Sequence, residues 1–405
     1  GDDALSGSNQ FILLLGAAVA ALVGFFNKTS FETMMEEVAQ NIKSTAGAIL
    51  ILLMVGALAG TWLVSGIIPT MIYYGLQILN PSIFLAACVV ICAIISVATG
   101  SSWTTSATVG IALIGIANAL GISLGMTAGA ILSGAYFGDK LSPLSDTTNL
   151  APAMAGTDLF THIQYMLFTT VPTVSITLIV FIIIGLNIET SGTADTSAIL
   201  ASIDNAFTIS PWLFIVPAIV IFMIIKKTPP LIALLIGTIL GGIAALIFQP
   251  EIIAGLGGSE SLSFESGYKG IMNAITVDTA IETTNENLND LFAASGMAGM
   301  LGTIWLILCA MTFGGVMDAI GALSRISAFM LNLFESTFGL FASTVATCIG
   351  LNATASDQYL AIVVPGKMYA KAYKDKGLAP ENLSRTLEDS GTVTSVLVPY
   401  NTCGA

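Results

Sequence analysis

The chain has 405 residues, of which 55% are hydrophobic and only 9% are charged, and its formal net charge is −13 at pH 7. A soluble domain normally carries about a quarter charged residues, so this composition excludes an ordinary soluble fold. With 12 lysine and arginine residues in all, the chain also lacks the basic face that nucleic acids require, and we expect no nucleic-acid partner.

Long apolar segments recur from one end of the chain to the other. Several reach the roughly 20 residues that an α-helix needs to cross a bilayer. Many separate spans exclude a signal peptide or a single anchor, so we predict an all-α polytopic membrane protein. The predicted spans are residues 10–26, 45–64, 160–186, 211–225, 231–248, 300–320 and 326–347.

Hydrophilic segments divide these spans into regions. Lysines at 226–227 and 367–376 place those segments in the cytoplasm by the positive-inside rule, and the long acidic segment outside. Because the chain begins with Gly1 and stops within a polar mixture, we expect further residues at both ends. The predicted regions are a first transmembrane repeat (1–188), a hydrophilic loop (189–206), transmembrane helices (207–249), a long acidic extracellular loop (250–298) and an incomplete second transmembrane repeat (299–405).

Two pairs of polar segments align between the halves of the chain. VATGSSWTTSATVG (97–110) aligns with TCIGLNATASDQYL (347–360), and GDKLSPLS (138–145) aligns with EDSGTVTS (388–395), at one offset of 250 residues (350 − 100 and 389 − 139). We call residues 97–110 the first polar segment, 138–145 the second, 347–360 the third and 388–395 the fourth. Chance similarity between segments rich in Gly, Ser and Thr is the alternative. A repeat with polar interruptions at corresponding places is typical of secondary transporters.

The second polar segment continues to residue 152 as GDKLSPLSDTTNLAP and is the densest polar cluster. Its Pro143 and Pro152, and Pro399 near the C-terminus, remove backbone donors and break helices. Backbone leaves a helix at membrane depth only where protein or a water-filled cavity meets the freed groups. We therefore predict broken helices or re-entrant hairpins that meet near the membrane midplane. Carbonyl, hydroxyl and amide oxygens there suit a small hard cation such as Na+.

Four aspartates lie in these segments: Asp139, Asp146, Asp357 and Asp389. An unpaired carboxylate inside a bilayer costs roughly 2.5 kcal/mol or more. Burial favours its protonated form and a bound cation favours its ionised form, so such a site holds either H+ or Na+. Lys140 could neutralise a carboxylate in the empty state. The alternative is that the aspartates only cap helix ends near the surface.

The cysteines and the single histidine predict no cofactor. Cys88 and Cys92 share a helix face, which could hold a metal, but no histidine is near them in the sequence and buried thiols are the better interpretation. His162 begins an apolar span, where a structural role at the interface is favoured.

The polar motifs together resemble a known family. ATGSSWTTSATVG, GAYFGDKLSPLSDTTNLAPA, LNATASDQYLAIVVPGKMY and LVPYNTCGA occur in this order over nearly the whole chain. This sequence resembles the NhaC-type Na+/H+ antiporter family. The resemblance implies two inverted repeats, with hairpins and an interrupted helix around a central site. It also implies Na+/H+ exchange across the cytoplasmic membrane by a rocking or elevator-like movement.

The resemblance and the polar segments together select the site residues. We expect Na+ at Asp139, Asp146, Thr147 and Asn149. The full set of expected ion- and proton-binding residues is Asp139, Asp146, Thr147, Asn149, Ser356, Asp357, Asp389 and Asn401. The expected supporting residues are Ser102, Thr104, Ser106, Lys140, Ser142, Asn352 and Thr354. The expected partners are Na+, H+ and membrane lipids, and a homodimer stays open.

Four other functions are alternatives to simple Na+/H+ exchange. Some members of this family exchange Na+ plus lactate for H+ plus malate. Lys140 is the one basic residue in the polar segments, which favours an inorganic cation over an organic anion. Helix N-termini can also hold a carboxylate, however, so this alternative stays open.

An intramembrane aspartyl protease would need Gly-x-Gly-Asp, but Tyr136 occupies the first glycine position, so no enzyme is predicted. A receptor would leave the intramembrane carboxylates without a role. A passive channel is harder to exclude, although paired hairpins favour alternating access.

Overall fold

The structure is a computed structural model that describes residues 7–404, apart from residues 79, 144, 189–195, 227, 283–291, 324, 326–328, 330–335 and 356. Helices dominate it. The first nine are α1 (Ser8–Phe26), α2 (Phe31–Val64), α3 (Ile67–Ile78), α4 (Pro81–Thr99), α5 (Ser102–Thr105), α6 (Ile111–Ala119), α7 (Leu124–Leu141), α8 (Asp146–Ala155) and α9 (Leu159–Asn187), with a first π segment (Ser106–Gly110) between α5 and α6.

The second half is also helical. Its helices are α10 (Thr196–Ala206), α11 (Ile215–Ile225), α12 (Pro230–Phe248), α13 (Pro250–Leu256), α14 (Phe264–Thr276), α15 (Leu301–Ala319), α16 (Thr337–Thr354), α17 (Gln358–Asp375), α18 (Pro380–Leu387) and α19 (Val393–Ser395). A second π segment (Glu388–Thr392) joins α18 to α19, and 3₁₀ turns form at Pro211–Phe214 and Ala298–Met300. Two short strands, β1 (Thr279–Ala280) and β2 (Ala293–Ala294), pair antiparallel with Thr279 opposite Ala294.

Six helices among the described residues are long and apolar enough to cross a membrane, and they confirm an all-α polytopic membrane protein. They are Ser8–Phe26, Thr45–Val64, Leu159–Asn187, Leu231–Phe248, Ala298–Ala319 and Thr337–Thr354. The predicted span at 211–225 instead belongs to a bent pair, Leu200–Ala206 with Pro211–Met223, whose axes differ by 86°. The pair makes a seventh span if it is counted as one.

One predicted span is wrong in its position. The sequence suggested 326–347, but the helix runs from Thr337 to Thr354. The Ser336 side chain accepts the backbone N–H of Gly339 at 3.0 Å, which is the bond that starts a helix. Much of 326–335 lies outside the described residues.

The two predicted hydrophilic loops are partly helical. Within 189–206, α10 forms because its apolar side buries Ile203 completely. Within 250–298, α13 and α14 pack through small residues: a Cβ on Gly270 would lie 2.3 Å from the carbonyl oxygen of Ile253. Ser263 begins α14 with a capping box. An acidic composition therefore did not prevent regular structure here.

The chain forms two compact units, one of which contains residues 50–142 and 170–301. In this unit α4 and α7 pack with their backbones close together. A Cβ on Gly134 would lie 2.2 Å from the Val89 carbonyl oxygen, and one on Gly138 would lie 2.5 Å from that of Ala93. These glycines therefore permit the close packing that places the C-terminal end of α7 beside the end of α4.

The other unit contains residues 1–49, 143–169 and 302–405. Its core is formed by α8, α16, α17 and α18, with Tyr369 and Tyr373 fully buried. The hydroxyl groups of these tyrosines share hydrogen bonds with Thr347 at 2.8 Å and Thr344 at 3.1 Å, so the buried polar atoms are satisfied. This core supports the third and fourth polar segments.

Candidate functional site

Three of the four polar segments contain a break between helices. The first breaks at Gly100, which has a left-handed backbone with φ of 70°; the second breaks between Leu141 and Asp146, around Pro143; and the third breaks after Thr354. The fourth forms the second π segment instead. Both the breaks and the π segments free backbone groups from α-helical bonding, as binding sites often require.

The predicted break at Pro152 is wrong. Pro152 lies inside α8, which continues to Ala155 and ends at Gly156, whose φ is 84°. Proline removes one backbone donor, but its fixed φ is compatible with a helix, and the left-handed glycine provides the actual end.

Asp139 lies in the unit that contains α4 and α7, near the C-terminus of α7, and is 8% exposed. Its Oδ2 accepts the Ser102 hydroxyl at 2.7 Å and the Ser102 backbone N–H at 3.3 Å. Ser102 is the first residue of α5, so the carboxylate lies at a helix start, where backbone N–H groups favour negative charge. The structure therefore joins the first and second polar segments through a carboxylate.

The supporting residues of this region have local roles. Lys140 is buried in α7, and Ser142 is buried at the end of that helix. The Ser106 hydroxyl donates to the Ser102 carbonyl at 2.9 Å, within its own helical stretch. The side chain of Thr104 lies outside the described part of the chain.

In the other unit, the start of α8 carries the remainder of the second polar segment. Ser145 caps α8 by accepting the Thr148 backbone N–H at 3.4 Å, and its hydroxyl lies 3.2 Å from that of Thr147. Asn149 is exposed, and its amide donates to the carbonyls of Pro143 at 3.0 Å and Ser145 at 2.7 Å. Asn149 thus braces the break. The side chain of Asp146 lies outside the described residues.

Glu388 is a buried carboxylate that the sequence analysis did not select. Its Oε1 accepts the Thr147 hydroxyl at 3.0 Å, and its side chain is completely buried. Asp389, which the sequence analysis did select, is only half-buried. Glu388 is four residues after the buried Ser384 and so extends the buried face of α18, which only the packing of that helix reveals.

Asn352 connects the third and fourth polar segments. Its amide donates to the Gly391 carbonyl at 2.7 Å and to the Thr394 hydroxyl at 2.9 Å. Asn401, also fully buried, donates to the carbonyl and side-chain oxygens of Asn352 at 3.1 and 3.2 Å. Asn352, which the sequence predicts as a supporting residue, is therefore the centre of this network.

Asp357 caps α17. It is 2% exposed, and its Oδ1 accepts the Leu360 backbone N–H at 2.9 Å, so the capping alternative describes its geometry even though it is buried. Thr354 donates back to Gly350 at 2.7 Å within α16. Ser356 lies outside the described residues.

His162 is completely buried near the start of α9, and its Nδ1 lies 2.8 Å from the Ser384 hydroxyl. Tyr165 donates to the Asn382 side chain at 3.0 Å, and Arg385 lies 4.8 Å from the centre of the Tyr165 ring. These contacts attach α18 to the first turns of α9. The histidine therefore has a structural partner next to the site.

The atoms that could bind a cation in these two units are mainly oxygens. Within the described residues, no group of three or more His, Cys, Asp or Glu side chains could hold a metal ion. Cys88 and Cys92 are buried free thiols. Hydroxyl, carbonyl and carboxylate oxygens instead match the ligand preference of hard cations.

Comparison with known proteins identifies the family. Residues 134–405, from the second polar segment onwards, match the model of the Na+/H+ antiporter family. The chain belongs to this family. It is 36% identical over 393 residues to the Na+/H+ antiporter NhaC of Alkalihalophilus pseudofirmus, an alignment that covers 97% of this chain and 82% of the relative.

Two further relatives have different transport reactions in their names. The malate-2H+/Na+-lactate antiporter of Bacillus subtilis is 36% identical over 400 residues, or 98% of this chain and 82% of the relative. The arginine/ornithine antiporter ArcD of Halobacterium salinarum is 33% identical over 404 residues, or 98% of this chain and 79% of the relative. Antiport is common to these names, whereas the substrate varies.

Proposed function

We propose that this protein exchanges Na+ for H+ across the cell membrane by alternating access. Family membership and the apolar spans support antiport in a membrane. The observation that carries the choice of ions is the buried Asp139 carboxylate, which the Ser102 hydroxyl and N–H hold at an interrupted helix. A carboxylate in that position can be neutralised either by a proton or by a small cation.

The expected ligands divide between carboxylates and neutral oxygens. We propose Asp139, Asp146, Asp357 and Asp389 as the groups that hold H+ or Na+, with Thr147, Asn149, Ser356 and Asn401 as neutral ligands. Ser102 orients Asp139, and Asn352 fixes the break after α16. No resident cofactor is part of this proposal, and Na+ is cargo.

Exchange follows if the site cannot move while its carboxylates are ionised and empty. One bound H+ or one bound Na+ neutralises one ionised carboxylate of the site, and only the loaded forms cross between the two sides of the membrane. Because one ion must leave before the other binds, transport of Na+ in one direction is coupled to transport of H+ in the other. We propose that two inverted repeats provide this movement, as in other antiporters with broken helices.

An organic co-substrate is the second candidate. The malate/lactate relative is as similar to this chain as the NhaC relative, at 36% identity each. The buried Lys140 is a basic group within the polar segments that could face an organic anion.

The test uses purified protein in proteoliposomes that contain a pH-sensitive dye. An imposed proton gradient is challenged with NaCl, then with NaCl plus lactate or malate, and then with arginine or ornithine. We expect NaCl alone to dissipate the gradient. A response that requires malate and lactate would replace this proposal by the organic alternative, and a response to arginine alone would contradict both.

A further inference from the structure

The fourth polar segment contains two adjacent carboxylates in different environments. Glu388 is completely buried, whereas Asp389 is half-buried. Adjacent residues of a helical segment point in different directions, so the two carboxylates have different surroundings. The buried side chain is the one that faces the packed interior of its unit.

Glu388 meets the start of α8. The Thr147 hydroxyl donates to Glu388 Oε1 at 3.0 Å, and the Ser145 hydroxyl lies 3.2 Å from that of Thr147. The N-terminus of this ten-residue helix is a favourable place for a carboxylate. Thr147 donates its one proton to the carboxylate and retains lone pairs, which can bind a cation.

A second observation indicates a ligand at the same segment. Thr392 lies four residues after Glu388, one turn further along, and is 1% exposed. Its hydroxyl oxygen has no hydrogen-bond partner among the described residues. Buried polar atoms normally have a partner, and those that lack one often mark a site for a water or an ion.

The segment is also held in place by contacts at both of its ends. His162 contacts Ser384 at 2.8 Å and Tyr165 donates to Asn382 at 3.0 Å, both on α18, which leads directly into the segment. At its other end, Asn352 binds the Gly391 carbonyl at 2.7 Å. A fixed backbone reduces the entropic cost of binding.

We propose that Glu388 is a ligand of the transported Na+, together with the hydroxyl oxygens of Thr147 and Thr392. This inference rests on the proposed function and replaces Asp389 by Glu388 as the carboxylate of the fourth polar segment that binds the ion. The donor set, one carboxylate and two hydroxyls, suits a small hard cation.

The chain provides a matched control for Glu388. Glu381 lies on α18, outside the fourth polar segment, and accepts the Thr157 hydroxyl at 3.3 Å. It therefore forms the same kind of carboxylate–hydroxyl pair as Glu388. We compare Glu388→Gln, Glu381→Gln and Asp389→Asn in the proteoliposome assay. We expect Glu388→Gln to raise the NaCl concentration for half-maximal exchange by about tenfold or more. Glu381→Gln stays within about twofold of the unchanged protein, and Asp389→Asn has a smaller effect than Glu388→Gln.

A second pair of variants covers the case in which Glu388→Gln does not fold. Thr147→Ser keeps the hydroxyl and Thr147→Val removes it with little change in volume. In detergent, we expect NaCl to raise the melting temperature of Thr147→Ser as it does for the unchanged protein, and to raise that of Thr147→Val much less. Equal shifts in the two variants would overturn the inference.

Failure of the proposed function and failure of the role of Glu388 give different results. If the unchanged protein shows no Na+-driven proton movement, the proposed function is wrong. If it shows exchange but Glu388→Gln and Glu381→Gln behave alike, or Asp389→Asn has the larger effect, only the role of Glu388 is wrong.

Discussion

Each half of the chain ties one of its polar segments to the next, but with different chemistry. In the first half, Ser102 binds the Asp139 carboxylate, 37 residues later. In the second half Asn352, which is 250 residues after Ser102, binds the backbone of Gly391, 39 residues later. The first connection contains a charge and the second is neutral. The second half instead has its buried carboxylates at Asp357 and at Glu388, which Thr147 contacts.

The difference separates ion binding from fixing the backbone, although the aligned polar segments look alike in the sequence. A carboxylate that accepts a hydroxyl can also bind an ion, whereas an amide that donates to a backbone carbonyl mainly fixes the backbone. We therefore expect changes at Asp139 to affect transport more than folding, and changes at Asn352 to affect both.

The largest effect is expected from Asp139→Asn. The amide cannot take up a proton or provide a negative charge, so Na+-driven proton movement should be lost while the protein still folds. Asp146→Asn should have the same result. Proteoliposome transport and size-exclusion chromatography in detergent measure the two properties.

Glu265→Gln is the control for these variants. Glu265 is exposed on α14, and the Lys269 ammonium that binds it at 2.6 Å holds its pKa below the ordinary value. Loss of this surface charge should leave exchange unchanged. Wild-type rates for Asp139→Asn and Asp146→Asn would contradict the site assignment.

Asn352→Leu should reduce both stability and transport. The change removes three side-chain hydrogen bonds and leaves the Gly391 carbonyl and the Thr394 hydroxyl without this partner, which costs about 1–3 kcal/mol for each buried group that stays unsatisfied. The melting temperature should fall clearly. Asn187→Leu is a control on exposed α9, where the amide bonds only its own helix; equal losses in both variants would show that Asn352 has no special role.

Glycine substitutions compare the packing of the two regions. A Cβ at Gly134 would lie 2.2 Å from the Val89 carbonyl oxygen, one at Gly391 would lie 3.0 Å from Ile362 Cγ1, and one at Gly129 would meet its nearest atom at 4.0 Å. We expect Gly134→Ala to destabilise strongly and Gly391→Ala moderately. Gly129→Ala should stabilise by about 0.5–1 kcal/mol, since alanine favours a helix. Melting temperatures in detergent that do not follow this order would show that α4 and α7 are packed less closely.

The smallest effects are expected at Ser106 and Thr354. Both hydroxyls donate to a carbonyl of their own helix, four residues earlier. Alanine at either position should change the exchange rate by less than about twofold, since such bonds contribute little to a helix. A loss as large as that of Asp139→Asn would mean that these hydroxyls bind the ion.

Much of the fold was predictable because long apolar runs define spans directly. The prediction failed where capping decided the boundary, as at Ser336, and where small residues formed helices in an acidic segment, as in α14. Asp139 and Asn352 lie in polar segments that the spacing of 250 residues selects. The burial of Glu388 was not predictable, because it depends on the packing of α18 against α8, which no local pattern shows. The inverted repeat stays a prediction.

The most direct test is the release of protons when Na+ binds. Purified protein in weakly buffered detergent is mixed with NaCl, and a pH indicator records the protons released, with choline chloride as the control. We expect release that saturates with Na+ and is reduced in Asp139→Asn and Glu388→Gln, because Na+ and H+ compete for the same carboxylates. Saturable Na+ binding without proton release would contradict the central claim, since the two ions would then occupy separate sites.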